Sequence, residues 1–180
     1  KDTLEFFGLQ RDMTVVEIWP GGGWYTEILA PVLKGTGTLY AAQYSASTSF
    51  GYQREEMNAL RAKIERSPEI FGDVKLTALG FPDELEIAPP GSADLVVTFR
   101  NVHNWFDPNY GRDANRLAFI AMFNALKPGG TLGIVDHRWP DPQTEHPEAG
   151  NGYISEERTI EDAQAAGFGL VGRSDVDRNP

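Results

Sequence analysis

Residues 15–26 read VVEIWPGGGWYT. Valines and an isoleucine around an acid lead into three glycines, and apolar residues then recur at helical spacing, so the pattern is strand, tight turn and helix. Gly21, Gly22 and Gly23 can take positive φ and let backbone amides approach a ligand, and the helix that follows opens with unpaired N–H groups. A purely structural strand-to-helix turn needs glycine just as much. Trp19 and Pro20 are the odd pair, because such a turn ordinarily puts its smallest residue there. Either the indole points away and the loop is an open cradle, or it lies across Gly21 and Gly23 and fills the site.

Outward from this stretch, strand-like runs alternate with helical ones, the signature of a parallel sheet covered by helices. The pattern predicts strands over 14–18, 38–43, 74–79, 93–99, 131–136 and 168–173. It predicts helices over 24–33, 52–66, 112–126 and 156–166, with a short leading helix over 3–7. In RLAFIAMFNALKPGG, Leu117, Ile120, Ala121, Phe123 and Leu126 make a broad apolar face that stops at Pro128 and two glycines, as helix ends do. Pro31 removes a backbone donor and should end or kink its helix near Ala30.

The 180 residues fit a single domain over 1–180, with 41% hydrophobic and 23% charged residues placing it among ordinary globular chains. Sixteen Lys and Arg against 26 Asp and Glu give a formal charge of −10. No basic cluster interrupts it, so no nucleic-acid partner is expected. No apolar run nears the ~20 residues of a membrane span, so no membrane partner is expected either. The absence of cysteine excludes disulfides, thiolate metal sites and Cys nucleophiles, and leaves the compartment open. Lys1 is not preceded by Met and the chain stops at SDVDRNP. Both ends are therefore expected to be cut, and an export signal is compatible with the start.

Order and spacing resemble the class I S-adenosylmethionine-dependent methyltransferases, from Asp12 to Arg173. VVEIWPGGGW resembles their first motif, an acid followed by glycines. GTLYAAQ resembles their second strand, ADLVVTFRNVHNW their fourth, and ALKPGGTLGIVDHR their helix, turn and fifth strand. The longer stretch FFGLQRDMTVVEIWPGGGWYTEILAPVL is similar to a group of bacterial predicted methyltransferases, often made with an export signal. The resemblance implies an α/β, Rossmann-like methyltransferase fold, a mostly parallel sheet with helices on both faces in strand order three, two, one, four, five, six. The family's seventh, antiparallel strand is expected to be absent from this chain.

The resemblance implies S-adenosylmethionine as cofactor, with Gly21, Gly22 and Gly23 against its methionyl part and Glu17 orienting it. Asn101 joins this set at the end of the fourth strand. Two positions depart from the family pattern. Trp19 replaces the first glycine, and Gln43 stands where an acid ordinarily bonds the ribose hydroxyls. A neutral amide still bonds a ribose, though charge-assisted bonds are about twice as strong.

In open α/β sheets ligands bind beyond the carboxyl ends of the strands. Trp19, Trp24, Trp105 and Trp139 all fall at that edge, together with Asn101, His103 and His137. They read as an aromatic-walled small-molecule pocket, or as caps over the core. His103 and His137 follow strands expected to be neighbours and are the candidate catalytic pair, His103 as general base on a substrate hydroxyl or as a structural histidine. No metal site is assigned: Asp136 and His137 are adjacent and would point to opposite faces if the strand continued, which disfavours a set with His103. RWPDPQTEHPEAGNGYIS, residues 138–155, reads as a lid.

The leading function is S-adenosylmethionine-dependent methyl transfer to a small, aromatic or hydrophobic acceptor. The alternatives are a lyase, isomerase or hydrolase using His103 and His137 on the same scaffold, or a non-catalytic small-molecule binding protein with a degenerate cofactor loop. A working methyltransferase would be cytoplasmic, where the cofactor is made. A removed signal would make the protein periplasmic or exported. Oligomeric state is not legible.

Overall fold

A computed structural model describes residues 1–178. Along the chain run α1 (Asp2–Phe6), β1 (Thr14–Ile18), α2 (Thr26–Leu33), β2 (Thr38–Tyr44), α3 (Gly51–Arg66), α4 (Pro68–Phe71), β3 (Lys75–Leu79), β4 (Ala93–Phe99), α5 (Ala114–Ala125), β5 (Leu126–Val135) and α6 (Glu156–Ala165). The strands form one five-stranded sheet in the order β3-β2-β1-β4-β5. Every pairing is parallel, with β1 at the centre in register Val15↔Leu39 on one side and Val15↔Leu95 on the other. A parallel sheet must be covered on both faces, and alternate residues of the central strands go to opposite cores. Val16, Ile18 and Val96 pack under Phe119 and Met122 of α5. Val15, Leu95 and Val97 pack under Leu29 and Leu33 of α2, with Leu4 and Phe71 at the margins. Among the described residues no helix is long and apolar enough to cross a membrane.

The α/β methyltransferase-like fold read from the sequence is present, with corrections at its edges. Residues 168–173 form no strand; the sheet ends at β5 among the described residues. Phe168 turns in to meet Phe123, with ring centroids 5.2 Å apart, while Val171 is 93% exposed. Gly167, Gly169 and Gly172 punctuate the run, and glycine weakens a strand by backbone entropy and missing side chains. Pro31 does not end α2, which continues to Leu33; the turn after it is closed by Gly37 N–H donating to Leu33 O at 2.7 Å. β5 starts at Leu126 rather than Thr131, because residues 127–130 bulge out between the pairs Ala93↔Leu126 and Leu95↔Thr131.

Residues 138–155, read as a lid, are stitched down. Ile154 N–H donates to His137 O at 3.0 Å and Trp139 N–H to Ile154 O at 2.9 Å. The Glu145 carboxylate accepts from Ser155 N–H at 2.9 Å and Ser155 Oγ at 2.6 Å, where Ser155 caps α6.

The segment after α1 seats on β5 through a missing side chain. A Cβ built on Gly133 would lie far inside contact distance of Phe7 Cδ2. Gly133→Ala should therefore cost about 1–3 kcal/mol by overpacking, read as a lower urea midpoint, whereas Gly129→Ala, which meets nothing within 4 Å, should show only the smaller strain of its positive φ.

Candidate functional site

β1 ends in the middle of the sheet edge, and its loop is built by Trp19. The backbone there is left-handed, φ 46°, a conformation costing a side-chain-bearing residue roughly 1–2 kcal/mol. Surrounding contacts hold it. Trp19 N–H donates to Ala42 O at 2.8 Å, and the indole Nε1–H donates to Leu79 O at 2.9 Å. The ring packs on Tyr44, Tyr110, Phe81 and Trp105 at centroid distances of 4.9, 5.3, 6.0 and 6.1 Å. The indole thus runs sideways from β1 across β2 to the end of β3, and not over the glycines.

The glycines face α3. A Cβ on Gly22 would lie 2.8 Å from Glu56 Oε2, and one on Gly23 2.6 Å from Leu60 Cδ1. Lys63 clamps the same turn, donating to Gly23 O at 3.1 Å and pairing with Glu27 at 2.6 Å. Gly21 and Gly23 carry φ values of 57° and 83°. Among the described residues the amides of Gly21, Gly22 and Trp24 donate to no protein acceptor, and both Gly21 and Gly22 stay partly open.

Beneath the loop Glu17 is 1% exposed and accepts from Thr26 Oγ1 at 2.7 Å. Burial raises its pKa to about 7, against the smaller lowering effect of the Thr26 hydrogen bond and the Lys63 charge. Gln43 does not reach outward. Its Nε2 donates to Gly21 O at 2.8 Å and its Oε1 accepts from Tyr44 N–H at 3.0 Å, so both ends of the amide pin the loop to β2. Asn101 does the same from β4, donating to Ile18 O at 2.9 Å.

Two cavities flank this arrangement. One of about 200 Å³ is walled by Trp19, Tyr44, Phe50, Phe81 and Tyr110, with Gln53 at its margin. The other, about 160 Å³, lies between Gln43, Met57, Leu60 and Thr77. Of the residues singled out in the sequence, Trp19 lines the first and Gln43 the second; Glu17, the glycines and His103 line neither. Gln53, 1% exposed, ties the first cavity's walls together by donating to Tyr110 Oη and accepting from Thr48 Oγ1.

On the β4–β5 side, His103 Nδ1 lies 2.7 Å from Asp136 Oδ1, and Asp136 Oδ2 accepts from His103 N–H at 3.2 Å. The His103 and His137 rings are 6.1 Å apart. The expectation that Asp136 and His137 diverge fails because β5 ends at Val135; beyond it the chain turns and Asp136 Oδ1 also accepts from His137 N–H at 2.7 Å. The tryptophans divide. Trp19 and Trp105 are buried together, whereas Trp24 is 63% exposed, resting on Tyr25, and Trp139 lies against Tyr153.

No family model and no curated protein matches the chain. Solved structures do. A SAM-dependent methyltransferase from Aquifex aeolicus superposes with a TM-score of 0.69 at 20% identity, covering 96% of this chain and 80% of that one. The [4+2]-cyclase SpnF matches with a TM-score of 0.65 at 16% identity over 94% of this chain and 57% of its own length. A putative sarcosine dimethylglycine methyltransferase from Galdieria sulphuraria gives 0.63 at 15% identity, over 92% of this chain and 57% of that one. This chain therefore spans little more than half of the latter two.

The chain has the class I S-adenosylmethionine-dependent methyltransferase fold.

Within this methyltransferase fold, Tyr44, Phe50, Phe81 and Tyr110 are the cavity-lining residues that sequence reasoning missed. They sit in four separate loops and strand ends with no shared spacing, and only the strand order brings them around Trp19. The Asp136–His103 bond was hidden for the same reason.

Two outcomes follow for stability. Glu17 binds its proton more tightly folded than unfolded, so its contribution is fully present below about pH 4.5 and is lost as pH rises to about 7. Glu17→Gln should remove that loss and exceed the parent's stability above pH 7 by about 3 kcal/mol, measured by denaturant titration across pH. Trp19→Phe leaves the Leu79 carbonyl without its donor and should cost about 1–3 kcal/mol; Trp105→Phe removes an indole N–H that has no partner and should cost clearly less in the same melts.

Proposed function

We propose that this chain is an S-adenosylmethionine-dependent methyltransferase acting on a small, aromatic or hydrophobic molecule. The observation that carries this reading is the direction of the Trp19 indole. It is bound to Leu79 O, away from the glycines, and makes the floor of an aromatic cavity at the strand edge where this fold class binds ligands. The residues present fit such a cofactor at both ends. The unpaired amides of Gly21, Gly22 and Trp24 suit a carboxylate at a helix N-terminus. The cavity of about 200 Å³ between Phe81, Tyr44 and Tyr110 suits a flat heterocycle stacked on ring faces.

In this reading Glu17 and Gly23 shape the turn from beneath, while Gln43 and Asn101 fix the Gly21 and Ile18 peptides so that the free amides stay aimed outward. S-adenosylmethionine, when bound, supplies an electrophilic methyl group. The protein's own contribution is then chiefly positioning, which needs few distinctive side chains. His103 and His137 are the groups placed to move a proton on the acceptor. The solved methyltransferases of the same fold support the reading by shape alone, and a cytosolic location goes with it.

Calorimetry with S-adenosylhomocysteine tests this. The parent should bind, and Phe81→Ala should weaken binding by about tenfold through the loss of one buried ring. Trp19→Gly should also weaken it, by removing the floor. No heat from the folded parent, or affinity gained in Trp19→Gly, would mean that the indole plugs the site and would favour the non-methyltransferase alternatives.

A further inference from the structure

We infer that Asp136 sets His103 as the proton acceptor for a hydroxyl-bearing aromatic acceptor, and that His137, Trp139 and Tyr153 form the shelf on which that ring lies. The inference deepens the methyltransferase reading and rests on it for the methyl group only.

The dyad's geometry decides which nitrogen works. Asp136 is a carboxylate with a 6% exposed side chain, and it receives His103 Nδ1 at 2.7 Å and the main-chain amides of His103 and His137 at 3.2 and 2.7 Å. A carboxylate only accepts, so Nδ1 carries a proton and, in the neutral imidazole, the lone pair is on Nε2. Among the described residues Nε2 makes no hydrogen bond, and it is not among the atoms sealed from solvent without a partner. His103 thus shows its basic nitrogen to an open face while the rest of its side chain, 13% exposed, is held.

Aromatic rings lie beside the dyad. The His137 ring lies 6.1 Å from His103 and 5.4 Å from Tyr153, and Tyr153 is 6.3 Å from Trp139. Tyr153 remains 44% exposed. The backbone under the shelf is fixed by the exchange between His137, Ile154 and Trp139, and the Trp139 indole N–H donates to Thr144 Oγ1 at 3.2 Å. The adjacent cation, Arg138, is already paired with Glu156 at 3.2 Å. A ring-stacking shelf beside an imidazole base matches a phenol. A phenolic oxygen becomes strongly nucleophilic only when it loses its proton, and imidazole titrates in the range suited to taking it. The O–H proton passes to His103 Nε2, the oxygen's electron pair forms the new O–CH3 bond, and the sulfur–methyl bond breaks with its pair remaining on sulfur. His103 then releases the proton to solvent. His103 is the catalytic residue and Asp136 a positioning residue.

The test uses the whole chain and two readouts independent of turnover. In 15N histidine spectra, the parent's His103 should be the Nδ1–H tautomer with a bare Nε2, and Asp136→Asn should shift it toward Nε2–H while Asp136→Glu restores it. With 4-nitrophenol as probe, the parent should bind and raise the yellow phenolate fraction. His103→Gln and Asp136→Asn should bind within about threefold but lose that rise, and Tyr153→Ala should weaken binding by about tenfold. In turnover with S-adenosylmethionine and a panel of phenols, His103→Gln should lower kcat by about 10²–10⁴-fold with S-adenosylhomocysteine affinity unchanged. An Nε2–H tautomer in the folded parent, an unchanged phenolate rise in His103→Gln, or methylation confined to amines or thiols would overturn the inference. Expected tautomer and probe results with no cofactor binding would instead retain the acid–base site and reject the methyltransferase reading.

Discussion

One tryptophan holds three strand ends together. Trp19 leaves β1 in a left-handed turn, bonds Ala42 O of β2 through its backbone and Leu79 O of β3 through Nε1, and fills the space between with its ring. Glycine would take the same φ without strain. The tryptophan accepts that strain and gains a buried ring among Tyr44, Phe81, Trp105 and Tyr110. Strain of this kind persists only where surrounding contacts over-determine the conformation. Here they do, and the result is a fixed wall between the ends of β1, β2 and β3.

The glycines answer a different demand. Their side-chain faces are taken by Glu56 and Leu60 of α3, so the close approach they permit is first of all helix to turn. Lys63, bonded to Gly23 O and Glu27, ties α3 to the start of α2. Among the described residues the amides of Gly21, Gly22 and Trp24 in this turn have no protein acceptor. A ligand gripping those amides would therefore be coupled to α3 through the turn itself, while buried Glu17 beneath makes the same turn sensitive to charge.

Both halves of the edge draw on the chain just after β4. Its short helix, Val102–Phe106, carries His103 toward Asp136, and the next turn, Pro108–Tyr110, places Tyr110 in the aromatic cavity. Trp105 between them is 1% exposed and packs on Trp19 and Phe119. Reorganising this segment would move His103 and Tyr110 together, because the buried Trp105 anchors the chain between them.

Sequence by itself determined the alternation of strands and helices, the strand-turn-helix at 15–26 and the edge at which the parallel strands end. These follow from local period and from where glycine and proline punctuate the chain. It also brought Glu17, Trp19, Gly21, Gly22, Gly23, Gln43 and Asn101 forward as cofactor candidates and His103 with His137 as a catalytic pair, because parallel strands deliver their carboxyl ends to one edge. Which way each side chain turns was decided only in three dimensions. Gln43 looks outward by position, yet its amide is consumed by Gly21 O and Tyr44 N–H. Asp136 diverges from His137 only if β5 runs one residue further than it does. Residues 168–173 have enough apolar character for a strand, but Phe168 packs on Phe123 and Arg173 pairs with Glu156 of α6, which holds them off the sheet. Hydrogen-bond partners and packing faces between elements distant in sequence carry no local period, so only the folded chain could assign them.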